Sequence, residues 1–432
     1  MFGSIKNTID ACSFTELRYI QMKRCILLIS ILISFSVYSQ PQQFVGTRGA
    51  DIMAPDGKPL LLRGINLGNW LVPEGYMIKF TDASSPRLIQ TVFNELLGPD
   101  KAKIFWKRYR DTYITKEDIA FIKSIGLNSI RVPFSYRLFV SEDQNLRFDG
   151  PGMEMLDRVV RWAKEEKIYV IFDMHCAPGG QTGDNIDDSY GYPFLFESPE
   201  SQELTVQLWR RIAERFANEP TVIGYDLLNE PIATYFDASQ FNGKLEPLYK
   251  RIVTAIREVD PNHICFLGGA QWDNNFGVFG PPFDAKTVYT YHKYWCDTTQ
   301  KEVQEYADFS KKYNVPIWMG ESGENTDQWI SSFRRLNERN NFGWCFWPYK
   351  KMDATTCTAS IRRTAAFDSV IAYAKKPRTS FRDIRAERPS RQIVEQALEE
   401  YLDNCRLANC RINSGYLWAL GLAPYKSPME RK

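Results

Sequence analysis

Eight short apolar runs punctuate this chain, and several of the stretches between them keep a helical period. The runs are Leu60–Ile65, Asn128–Pro133, Tyr169–His175, Val222–Leu228, Ile264–Gly269, Val288–His292, Ile317–Ser322 and Gly343–Pro348. Each is too short for a buried helix and reads as a buried strand. Between them, Lys116 to Ile125 sets Ile119, Ile122 and Ile125 on one helix face. Met153 to Lys164 and Ser201 to Asn218 repeat the pattern. Strands alternating with helices over about 300 residues predict an α/β chain folded as a (β/α)8 TIM barrel. The competing open, doubly wound sheet carries a glycine-rich phosphate turn after its first strand, and Gly64-Ile65-Asn66-Leu67-Gly68-Asn69 lacks the third glycine.

A barrel puts its chemistry at the C-terminal ends of its strands. The fourth run ends in Asn229-Glu230-Pro231, and Pro231, which has no N–H to donate, is expected to end the strand. The seventh run ends in Gly320-Glu321-Ser322. The two glutamates are 321 − 230 = 91 residues apart, on strands that face each other across an eight-stranded mouth. A carboxylate pair is the machinery of glycoside cleavage, in which one group protonates the departing oxygen and the other supports the anomeric carbon. Arg131, His175, Asn229, His292, Tyr294 and Trp347 fall at the other strand ends. Glu230 as acid needs a raised pKa, which a second carboxylate supplies. Glu321 as nucleophile must stay ionised, with Arg131 lowering its pKa and Tyr294 hydrogen-bonding it. Asn229 suits the sugar 2-hydroxyl, and Trp347 offers a flat platform. Two of the chain's three histidines lie in this set. A zinc site built from them and the glutamates is the competing reading, but no pair has helical ligand spacing, so no metal is expected.

The ordered motifs Ile130-Arg131-Val132-Pro133, Asp173-Met174-His175, Leu228-Asn229-Glu230-Pro231, His292-Lys293-Tyr294, Gly320-Glu321-Ser322 and Trp347 resemble those of glycoside hydrolase family five, the cellulase and glucanase group. The resemblance runs from Leu60 to Tyr349. It implies Glu230 as acid/base, Glu321 as nucleophile, and the remaining strand-end residues lining the subsite where the bond breaks. It also implies double displacement with retention, and carboxyl groups roughly 5 Å apart. Arg63-Gly64-Ile65-Asn66-Leu67-Gly68-Asn69-Trp70, Tyr113-Ile114-Thr115-Lys116-Glu117-Asp118 and Cys176-Ala177-Pro178-Gly179-Gly180-Gln181 are similar to segments of exo-acting β-1,3-glucanases. There the residue matching Glu74 contacts the terminal glucose. From the residues alone Glu74 reads equally as an exposed loop carboxylate. Asn69 stands where those enzymes usually have glycine, and the loop Thr182 to Tyr192 departs from theirs. The implied substrate is a β-glucan oligo- or polysaccharide, cut by an exo-β-1,3-glucosidase-like enzyme or by an endo-β-1,4-glucanase. A transglycosylase and an inactive sugar-binding barrel are the remaining readings. Two carboxylates and water complete the reaction, so no cofactor is expected.

Composition sets the outer limits. A net charge of +2 gives no pull towards nucleic acid. Aromatic content of 14% suits a sugar-binding cleft or a large core; Trp70, Trp272 and Trp295 read as cleft extensions or as core. Met22-Lys23-Arg24, the apolar run Cys25 to Val37 and the small residues Ser36 and Ser39 form a secretory signal. The run is shorter than the roughly 20 residues of a membrane span. The protein is therefore expected to be secreted or periplasmic, with Met22 as the start. Seven cysteines follow, and Cys405 and Cys410 are close enough to bridge. Past Lys375 the chain turns basic and then amphipathic, giving three expected segments: 1–39 as leader, 40–375 as barrel and 376–432 as a C-terminal helical extension.

Overall fold

A computed structural model of the chain describes residues 44–140, 146–147 and 150–422. The expected secretory signal, residues 22–39, lies outside these residues. Eight strands, β1 (Arg63–Asn66), β2 (Ser129–Ser135), β3 (Tyr169–Cys176), β4 (Val222–Asp226), β5 (Ile264–Gly268), β6 (Thr287–His292), β7 (Ile317–Glu321) and β8 (Gly343–Phe346), form a closed barrel. Every neighbouring pair is parallel, and β8 closes on β1 through Trp344 opposite Arg63. The expected (β/α)8 architecture is the observed one, and all eight apolar runs lie on barrel strands.

The strands are buried on both faces, which is why their sequences run apolar without alternation. One small cluster draws Ile171, Ile223, Ile264, Phe266, Val288, Trp318 and Cys345 together with Val45 and Ile52. Those last two flank and line an N-terminal hairpin, Gly46–Arg48 against Asp51–Met53, that packs against the barrel's inner residues. The larger cluster lies between the strands and the outer helices.

Those helices are α1 (Pro86–Leu97), α2 (Pro99–Tyr113), α3 (Lys116–Ser124), α4 (Pro151–Glu166), α5 (Pro199–Phe216), α6 (Ala238–Arg257), α7 (Gln304–Tyr313) and α8 (Asp327–Arg339). α3 opens on a capping box between Thr115 and Asp118, and proline stands in the first turn of α1, α2, α4 and α5. Between β5 and β6 the alternation fails. That connection holds only a single helical turn at Ala270–Asp273, where Gln271, Trp272 and Asp273 have positive φ, and a short 3-10 turn.

Beyond the barrel, α9 (Ala365–Ala374), α10 (Phe381–Ala386), α11 (Arg391–Asn404) and α12 (Ser414–Ala419) follow. α11 lies against α9 and α2, with Tyr401 against Phe367 at 4.8 Å and Arg108 bridging Glu399. This segment is not wholly helical: Arg411–Ile412 adds an antiparallel strand to Ala359–Ile361. The bridge between Cys405 and Cys410 is absent. All seven cysteines from Cys176 to Cys410 are free, and Cys410 instead directs its thiol at the carbonyls of Asn404 and Cys405. No helix among the described residues is long and apolar enough to cross a membrane.

Candidate active site

The C-terminal strand ends open into a cavity of about 1000 Å³ lined by Glu74, His175, Glu230, His292, Tyr294, Glu321 and Trp347. Glu321 is the last residue of β7. The ladder between β6 and β7 slips by one residue at Tyr291/His292, setting His292 opposite Glu321. Such a bulge re-aims a side chain at the rim of a barrel. Gly320 makes room for it, since a Cβ there would lie 2.8 Å from His292 Nε2.

Glu230 is placed differently from expectation. β4 ends at Asp226 rather than at Pro231, and Glu230 sits beyond it with φ +46°, followed by Ile232 at +59°. A β-branched residue in the left-handed region is strained and persists only where its surroundings dictate it. Here the Ile232 and Ala233 N–H groups donate to the Gln181 and Thr182 carbonyls, and the Glu230 N–H donates to Asp273 Oδ2 at 3.2 Å.

Arg131, fully buried on β2, organises the floor. Its Nη1 meets Glu321 Oε1 at 2.5 Å, Nε meets Asp226 Oδ2 at 2.7 Å, and Nη2 meets Asp173 Oδ1 at 3.1 Å. It also donates to Asn66 and Asn229. Arg131 therefore lies beneath the cavity and meets it through Glu321. Asn229 is equally buried; its Oδ1 accepts from Arg131 and its Nδ2 has no hydrogen-bond partner.

Tyr294 donates to Glu321 Oε2 at 3.0 Å, and His292 Nδ1 lies 2.9 Å from Glu230 Oε1. Burial first, and then the charge of Glu321, push the Glu230 carboxyl well above its usual range. Burial raises Glu321 too, opposed by Arg131, His175 and the Tyr294 hydrogen bond. Both carboxyls are thus pushed towards the protonated form, Glu230 well above its usual range and Glu321 against the opposing charge of Arg131. Burial lowers His175 to about 3, so it is neutral; it pairs with Asp173 at 2.8 Å and stacks on Trp347 at 5.6 Å and 6°. One oxygen each from Glu230 and Glu321, and a His292 nitrogen, lie within 4.8 Å of one another. These three could converge on a cation.

Glu74 is no exposed loop carboxylate. It is 3% exposed, its Oε1 has no partner, and it borders the cavity 3.9 Å from His175 Nε2. Burial, and then the charge of Glu321, raise its pKa well above normal.

Residues 89–353 match the profile described as cellulase (glycosyl hydrolase family 5). The chain belongs to that family. Among curated relatives, a "Beta-xylosidase" of Phanerodontia chrysosporium is 33% identical, over 58% of this chain and 52% of that one. "Endoglucanase C" of Acetivibrio thermocellus is 26% identical over 58% of this chain and 88% of that one. A "Probable glucan 1,3-beta-glucosidase A" of Aspergillus fumigatus is 30% identical over 48% of this chain and 49% of that one. The chain spans about half the length of the two fungal relatives.

In this family 5 chain the structure brings every expected site residue to one end of the barrel and explains Asn69. Its φ is +64°, a conformation asparagine tolerates, and its side chain accepts the Glu74 N–H at 2.9 Å. Trp70 is core, donating to the Arg110 carbonyl, whereas Trp272 lines the cavity and Trp295 stands on its rim, 76% exposed. Sequence reasoning passed over the roles of Asp173, Asp226 and Asp273. A charged residue inside an apolar strand run was the available signal for the first two. It also missed Tyr76, which accepts the Trp347 indole N–H at 2.6 Å, and Lys351, which pairs with Glu324 at 2.5 Å above the Tyr76 ring.

Proposed function

We propose that the protein is a retaining β-glucan hydrolase acting by double displacement, with exo-β-1,3-glucosidase-like specificity. The observation that carries the mechanism is the approach of the Glu230 and Glu321 oxygens to within 4.8 Å. Retaining enzymes hold their carboxyl groups about 5–5.5 Å apart, whereas inverting enzymes leave room for a water at about 6.5–9.5 Å. Glu321 attacks the anomeric carbon as Glu230 gives its proton to the departing oxygen, and the glycosidic bond breaks. Water then attacks the glycosyl–enzyme bond, its proton passes to Glu230, and Glu321 leaves as carboxylate. Neither step calls on a metal or an organic cofactor.

The exo reading is supported by the first-strand segment and by Glu74, whose unpartnered buried oxygen suits a hydroxyl of a terminal sugar. The "probable" β-1,3-glucosidase relative agrees with it. A second reading, endo-β-1,4-glucanase, is favoured by the 88% of Endoglucanase C that the match covers. The proposed setting is secreted or periplasmic, on the strength of residues 22–39, with a catalytic barrel over 40–375 and a supporting extension over 376–432.

Laminarin, lichenan, carboxymethylcellulose, mannan and aryl glycosides, xylosides included, form the test panel. Glucose released singly from laminarin supports the exo reading, and a spread of oligosaccharides from carboxymethylcellulose replaces it with the endo reading. Proton NMR within the first turnovers should find the β anomer; the α anomer rejects the mechanism. Wild-type-like turnover by Glu321→Gln on an aryl β-glucoside rejects the nucleophile.

A further inference from the structure

Asp273, in the turn after β5, is a fully buried carboxyl that the double displacement leaves without a task. Arg131 directs its donors elsewhere, to Glu321, Asp226, Asp173, Asn66 and Asn229. Burying a carboxyl away from a cation is unfavourable. So is the backbone that delivers it, with positive φ at Gln271, Trp272 and Asp273 in succession. The surroundings impose that conformation. Ala270 and Asn275 exchange backbone hydrogen bonds across the turn, and Gln271 is tied to Asn242 on α6. Gly268 leaves the carboxyl its space, since a Cβ there would lie 1.8 Å from Asp273 Oδ1. Strain of this kind gathers where a side chain must be aimed.

Asp273 Oδ2 is aimed at two parts of the acid/base machinery. It accepts the Glu230 N–H at 3.2 Å, and His292 Nε2 lies 3.2 Å from it without yet being aligned as a hydrogen bond. Catalytic hydrogen bonds are often loose until substrate arrives. On the other side of the ring, Nδ1 lies 2.9 Å from Glu230 Oε1. Burial keeps His292 neutral, so one ring nitrogen carries a proton and the other a lone pair. Around these groups stand Asp226 on β4, Arg131 on β2, His175 on β3 and Glu321 on β7, with the phenols of Tyr249 on α6 and Tyr306 on α7 behind. None of them rivals Asp273 at Nε2, and Glu321 stays 3.8 Å from Nδ1. An oxygen that already accepts a backbone N–H offers its remaining lone pair to Nε2–H, which leaves Nδ1 bare.

We propose that Asp273 is a positioning residue for the acid step: it holds the proton of His292 on Nε2, so that Nδ1 presents a lone pair to the carboxyl proton of Glu230. Without Oδ2 the other tautomer becomes available. It donates Nδ1–H to the Glu230 carboxylate, favours the ionised form and weakens the acid. The role in catalysis rests on the reading of Glu230 as acid/base, whereas the tautomer itself does not.

The test begins with the ring nitrogens of the wild type. Only three histidines contribute, and His292→Gln assigns the His292 pair by removing it. At about pH 6, nitrogen-15 NMR should find the proton on Nε2 and Nδ1 bare; a proton on Nδ1 overturns the proposal, with no variant of Asp273 and no substrate involved. Kinetics follow. Asp273→Ala should lower kcat/KM for phenyl β-glucoside about tenfold or more and move its alkaline limb down by about one pH unit. Dinitrophenyl β-glucoside, whose leaving group needs no acid, should lose less than about threefold. Asp273→Asn keeps an oxygen in place of Oδ2 and tolerates positive φ, so it should recover most of the loss and return the limb to within a few tenths of a pH unit. Equal losses on both glucosides, an unmoved limb, or an asparagine variant as impaired as alanine overturns the positioning role. The acid/base reading fails separately, when Glu230→Gln leaves the phenyl glucoside rate intact while the nitrogen spectrum still shows Nε2 protonated.

Discussion

Tyr294→Phe isolates the electrostatics of the proposed nucleophile. Glu321 is held at both oxygens, Oε1 by Arg131 and Oε2 by the Tyr294 hydroxyl at 3.0 Å. Phenylalanine keeps the ring and deletes only the second donor. A hydrogen bond to a charged group is worth about 1.5–3 kcal/mol. Tyr294 is only half-buried, so the lower figure applies, and about 1.4 kcal/mol corresponds to one pH unit. The bond favours the ionised carboxylate, so its loss raises the pKa of Glu321. The acid limb of kcat/KM, which reports free enzyme, should therefore move up by about one pH unit on an aryl β-glucoside. The alkaline limb, governed by the Glu230 proton, should stay within a few tenths of a pH unit of its place. The plateau should fall less than tenfold, because the nucleophile spends its charge as the transition state forms and the bond favours the ground state. A plateau that collapses while both limbs hold still would refute this account, and would mean that Tyr294 works on the sugar directly.

Glu230→Gln should slow substrates with poor leaving groups by about 10² to 10⁴, the usual share of a general acid, and spare the glycosylation of dinitrophenyl glucosides; equal losses on both classes would remove Glu230 from the acid role. Gly68→Ala should raise KM about fivefold to tenfold with kcat little changed, since the added Cβ would stand 2.4 Å from the Trp347 ring and displace the sugar platform. An unaltered KM would place the platform elsewhere. Burial raises Asp226 from 3.8 to about 7 in the folded chain. Its raised folded pKa contributes stability that is complete below 3.8 and lost as pH rises through about 7. Asp226→Asn should flatten part of the fall in Tm across that window, with Asp173, also raised to about 7, supplying the rest. Scanning calorimetry from pH 4 to pH 8 checks the slope, and an unchanged slope refutes it.

The barrel was legible because its strands are buried on both sides, so period and polarity mark them without tertiary information. The same logic located Glu230 just past the fourth run and Glu321 at the end of the seventh. It failed where backbone conformation decides. Nothing in Asn229-Glu230-Pro231 announces that Glu230 and Ile232 take positive φ, because that geometry is imposed by Gln181, Thr182 and Asp273 from two other loops. It failed again between β5 and β6, where the expected helix is replaced by a turn. That turn brings Asp273 to 3.2 Å from His292 Nε2. Trp272 and Asp273 both have positive φ there, so the strain is spent on placing an aromatic wall and a carboxylate.

The buried charges give a physical basis for the different roles proposed for the two glutamates in one cavity. Among the carboxylates that meet there, Glu321 alone touches the Arg131 guanidinium while facing the cavity; Asp173 and Asp226 take its other donors beneath the floor. Glu230 has no cation of its own. It meets the neutral His292, whose pKa is held well below normal by burial and then by Arg131. A neutral imidazole cannot stabilise a carboxylate as a charged one would, so nothing beside Glu230 offsets its burial as Arg131 offsets that of Glu321. The proposed asymmetry of the reaction therefore resides less in the two glutamates, which are chemically identical, than in Arg131 lying under one of them.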